Sequence, residues 1–209
     1  MNENERKPSD VHLEDAEIIG RAVALLLVNE DIEACSELTK LPTTDPIQKL
    51  TVGAEPAAER PTRLKTEPLD NALRVRIYKR DGWRCRYCGR KLIVPGVLEL
   101  LTTLCPGFRG LAPGHHMPVA RTEPAVERVY PNVDHVHAVS LGGAWRDESN
   151  HVMACTPCNT RKSDLLGWTP GSIVSDEWDG LTSDYRPLAE RTGEISPYHV
   201  RWLRLLERR

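Results

Sequence analysis

The chain has 209 residues, enough for one domain with an extension or for two small domains. Hydrophobic residues make up 40%, but Phe occurs once and aromatics reach only 5%, which argues against one large, well-filled globule. The net charge of −2 would by itself argue against a nucleic-acid partner, yet the charge is segregated: ten acidic and three basic residues lie between Met1 and Thr39, and eight basic residues face a single acid, Asp81, between Arg74 and Lys91.

Residues 1–13 are polar and charged and read as disordered. They do not resemble a secretory leader, and the longest apolar run near them, Ala22 to Val28, is too short to span a bilayer. Ile18, Ala22, Leu25, Val28 and Ile32 recur at three- and four-residue steps, which predicts one amphipathic helix over 14–38 for packing or dimerisation. Residues 1–40 thus form an acidic N-terminal extension. The prolines at 42, 46, 56, 61 and 68 make 41–70 a linker. From Asn71 a short helix or strand runs to a turn at Asp81-Gly82, and Gly89 gives the backbone freedom that a Cys-x-x-Cys knuckle needs. An insert of about forty residues, 92–131, carries one expected helix around Val97 to Leu104 and is positioned to cover or reshape a binding groove. Alternation through Val133, His135, His137 and Val139 predicts a strand entering a turn at Gly142-Gly143. A helix follows the second knuckle with Asn159 near its start. Residues 168–209 form an irregular C-terminal extension ending in a basic helix, with Ser196 as N-cap and Pro197 in the first position.

Six cysteines are present, and four of them form the pairs Cys85/Cys88 and Cys155/Cys158. Without a leader sequence the thiols are expected to be reduced, and two such pairs in a reducing compartment point to one tetrahedral zinc site rather than to disulfides. A redox couple and two coincidentally buried pairs are the competing explanations. Cys35 reads as a packed helix residue. Cys105 near His115 and His116 is too little for another metal site, and His137 and His151 read as surface or structural.

Zinc leaves Asp134, His135, Asn150, Asn159 and Lys162 to be explained. A carboxylate and an amide oxygen suit a hard ion such as Mg²⁺, and an imidazole can take a proton from water near neutral pH. With a basic stretch close by, these are the parts for metal-assisted phosphodiester hydrolysis. Taken singly, Asp134 is as readily a turn cap and His135 a core histidine. The two are also adjacent on a strand and so point to opposite faces.

The stretches "CRYCG", "DHVHAVSLGG", Asn150 and "ACTPCNTRK", in that order, resemble the HNH endonuclease family in its zinc-binding four-cysteine version. The resemblance covers roughly residues 74–165 less the insert. It implies an α+β fold built on a ββα-metal finger within a nuclease domain at 71–167, flanked by a helical N-terminal extension and a C-terminal helix. It implies His135 as general base, Asn150 as the residue that fixes the loop and orients the base, and Asp134 with Asn159 as ligands of a catalytic Mg²⁺ or Mn²⁺. Cys85, Cys88, Cys155 and Cys158 would hold a structural Zn²⁺, and Lys162 would contact phosphate. Arg80, Arg84 and Arg86, from the basic stretch beside this site, are the expected DNA contacts. Ala138 and Leu141 depart from the family pattern at positions that carry no chemistry.

The expected activity is a metal-dependent DNA endonuclease leaving 5′-phosphate and 3′-hydroxyl ends. A zinc-stabilised nucleic-acid-binding module without catalysis, or a scaffold whose acidic helix recruits a partner, would use some of the same residues. The implied partner is DNA and no membrane; a homodimer is one way to cut both strands. The expected location is cytoplasmic rather than secreted, compatible with a bacterial or phage-encoded protein.

Overall fold

A computed structural model describes residues 15–43, 68–111, 123–165 and 167–208. The expected disorder at 1–13, most of the linker, and His115 and His116 lie outside the described residues.

The chain starts with two helices, not one. Helix α1 (Asp15–Leu27) buries Ile18, Ile19, Ala22, Val23 and Leu26. It stops before Asn29, whose φ of 64° is a left-handed value that asparagine tolerates better than most residues. Helix α2 (Asp31–Leu38) then folds back onto α1, with Arg21 bonded to Glu37 at 2.7 Å. The break takes Val28 and Ile32 off the apolar stripe, and both are exposed, at 63% and 82%. Cys35 is more than a packed residue: it forms a disulfide with Cys105, which joins α2 to the end of α4 across 70 residues and corrects the expectation of free thiols at both positions.

Helix α3 (Asn71–Arg80) is capped by Asp70, whose carboxylate accepts from Leu73 N at 2.7 Å. It ends in the expected turn, with Gly82 at φ 64°. Helices α4 (Pro95–Leu104) and α5 (Pro124–Val129) lie in the region read as an insert. The described part of that region contributes to the core, with Val97, Leu98, Leu101, Ala125, Val126 and Val129 all fully buried.

Strands β1 (Pro131–His135) and β2 (His151–Cys155) pair antiparallel, with Val133 opposite Met153 and His135 opposite His151. The strand pattern expected through Val139 stops at His135, and a 3-10 turn occupies Val139–Leu141. Helix α6 (Thr156–Lys162) leaves β2 directly, which completes a ββα unit. Helix α7 (Thr182–Glu190) was hidden in sequence by Gly180 and Pro187. Asp179 starts it by accepting from Leu181 N at 2.8 Å, Ser183 N at 2.8 Å and the Thr182 hydroxyl at 2.9 Å, which satisfies one of the first turn's free backbone donors. Helix α8 (Pro197–Glu207) has Ser196 as its cap.

Among the described residues a buried cluster runs from Ala16 to Leu203, contrary to the sparse core that the aromatic content suggested. Most of it is aliphatic, with Tyr78, Trp83, Tyr185 and Trp202 among its members. Charged groups are enclosed with it: Arg128 on α5 holds Asp15 on α1 at 2.5 Å, and α3 ends on the fully buried Asp81.

Candidate metal and catalytic site

The two knuckles meet. Cys85, Cys88, Cys155 and Cys158 bring their sulfurs within 4.8 Å of one another, and Cys88 and Cys155 are 3.9 Å apart. Four thiolates around one Zn²⁺ at about 2.3 Å would sit about 3.8 Å apart, so both the donor chemistry and the spacing fit that ion. The first knuckle is tied down by its own backbone, with Cys85 N bonded to Arg90 O at 2.9 Å and Gly89 N to Cys85 O at 2.8 Å. Arg86 N donates to Met153 O at 2.8 Å, which fixes that knuckle to β2.

Asp81 braces the same junction from within. Its carboxylate accepts from Arg80 at 2.9 and 3.1 Å, Arg86 at 2.9 Å and Met153 N at 2.7 Å. Arg80 also reaches the carbonyls of Glu148 and His151, at 3.1 and 2.6 Å, while Arg86 donates to Gly171 O. Arg84 holds Gly89 O and Asp176. The three arginines expected to contact DNA are therefore engaged in intramolecular contacts. The rest of the basic stretch follows suit: Arg74 bonds Leu69 O, Arg76 Glu148, Lys79 the carbonyls of Leu206 and Arg208, and Lys91 Glu17, while Arg90 is buried.

Asp134 and His135 point to different sides of β1, as a strand requires. The buried Asp134 accepts on Oδ2 from the Tyr87 hydroxyl at 2.5 Å and pairs there with Lys162 at 3.1 Å. Burial, and then the bond to Asp134, push the Tyr87 hydroxyl well above the usual phenol range, so it remains a donor. Oδ1 of Asp134 makes no hydrogen bond among the described residues and is the oxygen that a hard cation could take. Lys162 is fully buried and also donates to His135 O at 2.7 Å, so the expected phosphate contact is replaced by a clamp between α6 and β1. Asn159 lies on α6, half-buried, within the turn that follows Cys158.

His135 stacks on Trp145, with ring centroids 4.8 Å apart and planes at 20°. Its Nε2 lies 3.2 Å from Trp145 O and 3.0 Å from Nε2 of His151, its cross-strand partner. Burial lowers the affinity of both imidazoles for a second proton. Asn150 holds the intervening loop closed: its Oδ1 accepts from His137 N at 2.8 Å, and its Nδ2 donates to His137 O and Ala144 O at 3.0 Å each. The loop clamped in this way delivers Trp145 O to His135. His137 is exposed, whereas His151 is buried inside the site. Neither His151 nor the Trp145 carbonyl stands out in sequence, because only the strand register and the loop closure bring them to His135.

Among the described residues no helix is long and apolar enough to cross a membrane. A family model described as HNH endonuclease matches residues 123–165. That span holds β1, β2 and α6 with Asp134, His135, Asn150, Asn159 and Lys162, and leaves the first knuckle outside it. Together with the four-cysteine cluster it makes the unit a ββα-metal arrangement, as expected. No curated protein and no solved structure matches the chain.

Proposed function

We propose that the protein is a metal-dependent DNA endonuclease in which His135 is the general base. The observation that carries this reading is the clamp just described: Asn150 closes the loop from His137 to Ala144, and Trp145 O is thereby set 3.2 Å from His135 Nε2. With its proton on Nε2 and directed at that carbonyl, His135 keeps a lone pair on Nδ1 for a water. The lowered proton affinity keeps the ring neutral at pH 7, as a base must be.

Asp134 Oδ1 and Asn159 are the residues that would hold the catalytic Mg²⁺ or Mn²⁺. When bound, such an ion supplies positive charge to the leaving 3′-oxygen. Lys162 and Tyr87 set the carboxylate angle by occupying Oδ2. The cysteine quartet, holding Zn²⁺, would keep the start of α6, and with it Asn159, against the end of β2. The substrate is DNA. One such site cuts one strand, so double-strand cleavage calls for a second copy or a second encounter.

The binding-module alternative would use the same basic stretch, of which Arg76 and Lys79 remain exposed, but would not need Asp134, His135 and Asn159 together. The deciding experiment is cleavage of supercoiled plasmid in Mg²⁺ or Mn²⁺, with His135→Ala purified beside the native protein at equal zinc content. Nicked or linear product from the native protein alone is the expected result. Equal cutting by both would refute the role given to His135. DNA binding by both without cutting would favour the non-catalytic module.

A further inference from the structure

His135 Nε2, His151 Nε2 and Trp145 O form a triangle with edges of 3.0, 3.0 and 3.2 Å. No arrangement of protons on two neutral imidazoles makes all three edges favourable. If both nitrogens carry hydrogen, both donate to the carbonyl but oppose each other across the third edge. If only one carries hydrogen, the other nitrogen sets its lone pair against that of the carbonyl oxygen. A cation at the centre of the triangle removes the conflict, because all three atoms can then act as lone-pair donors.

The spacing matches such an ion on two separate measures. Two imidazoles bound at about 2.1 Å to one metal, at right angles, would place their Nε2 atoms about 3.0 Å and their ring centroids about 4.6 Å apart; here these distances are 3.0 and 4.5 Å. Right-angled donors are one face of an octahedron, and imidazole with carbonyl oxygen suits a divalent first-row transition ion better than Mg²⁺. The other nitrogen of His151, Nδ1, is buried and has no hydrogen-bond partner among the described residues.

We infer that His135, His151 and the Trp145 carbonyl form a further metal site, distinct from the cysteine quartet and from Asp134, that takes a divalent transition ion such as Ni²⁺. An ion seated there occupies His135 Nε2, which leaves the ring's one proton on Nδ1. The ring then has no lone pair for a water, so occupancy switches the base off. This consequence, though not the site itself, rests on His135 being the general base.

Titrating NiCl₂ into zinc-loaded protein by calorimetry tests the site without reference to cleavage. The native protein should take up one Ni²⁺ per chain, and both His151→Leu and His135→Ala should bind at least tenfold more weakly, with zinc content and melting curves reporting that they fold. No uptake by the native protein, or equal uptake by all three, overturns the site. A second arm measures Ni²⁺ inhibition of Mg²⁺-supported cleavage, with the inhibition constant expected to rise at least tenfold in His151→Leu. Uptake without inhibition would keep the site and overturn the reading of His135 as base.

Discussion

Two parts of the core reach burial by opposite means. Where α4 meets α7 the contact is apolar and close: a side chain at Gly96 would meet the Tyr185 hydroxyl at 2.1 Å, and Val97, Leu98 and Leu101 beside it are fully enclosed. Where the first knuckle meets β2 the contact is polar and directed, with the buried Asp81 collecting two guanidinium groups and a backbone amide around four cysteines. Apolar packing is tolerant of angle and holds elements together, whereas hydrogen bonds and metal ligands fix direction. The directed half is the one that carries Asp134, His135 and Asn150.

If this contrast is right, the largest response should come from metal removal. Chelating zinc, or changing Cys155→Ser, should strip hydrogen-exchange protection from β1, β2 and the first knuckle. Binding energies of about 10 kcal/mol or more for structural zinc make the loss large. Unchanged exchange in those elements would show that zinc does not organise them. Next comes Asp81→Ala, which leaves two part-buried guanidinium groups and the Met153 amide without their carboxylate and should cost about 1–3 kcal/mol in urea unfolding. In the apolar half, Gly96→Val should cost about 1–3 kcal/mol through overpacking while leaving zinc content unaltered, and a loss of zinc would mean that the two halves are not separable in this way.

Acidification should act mainly on the polar half. His135 and His151 have lowered proton affinities because burial disfavours the charged ring. Below the usual histidine value of about 6.5 the unfolded chain therefore binds more protons than the folded one. Their contribution is complete above that pH and is lost as pH falls through the lower, folded values. Urea midpoints at descending pH should decline, and His151→Leu should flatten the decline. The smallest effect is expected at the α1–α2 corner, where Ile32→Glu should stay within about 0.5 kcal/mol because the side chain is 82% exposed.

What could be read in advance depended on how local the signal was. The α4 helix, the Ser196 cap and the turn at Gly82 were legible because each is decided within a few residues. The cysteine quartet was legible because metal chemistry restricts both residue type and spacing. The α1–α2 break was not, since Val28 and Ile32 continue a helical stripe and only the fold-back of α2 leaves them outside. The inward turn of Lys162 and the intramolecular pairing of Arg80 and Arg86 were not legible for a similar reason. A cation in sequence looks like surface until a buried carboxylate or carbonyl is found to receive it, as Asp134 receives Lys162 and Asp81 receives Arg80 and Arg86.

Sequence alone therefore determined the inventory of this protein: two Cys-x-x-Cys knuckles, an Asp-His pair, Asn150 and Asn159, and the order in which they resemble the HNH family. Tertiary structure decided which of these touch. Register across two strands set His151 opposite His135, closure of a loop by Asn150 brought up the Trp145 carbonyl, and packing of α6 turned Lys162 inward. Those contacts depend on distances between residues far apart in the chain, and such distances follow from how the whole molecule packs rather than from any local pattern.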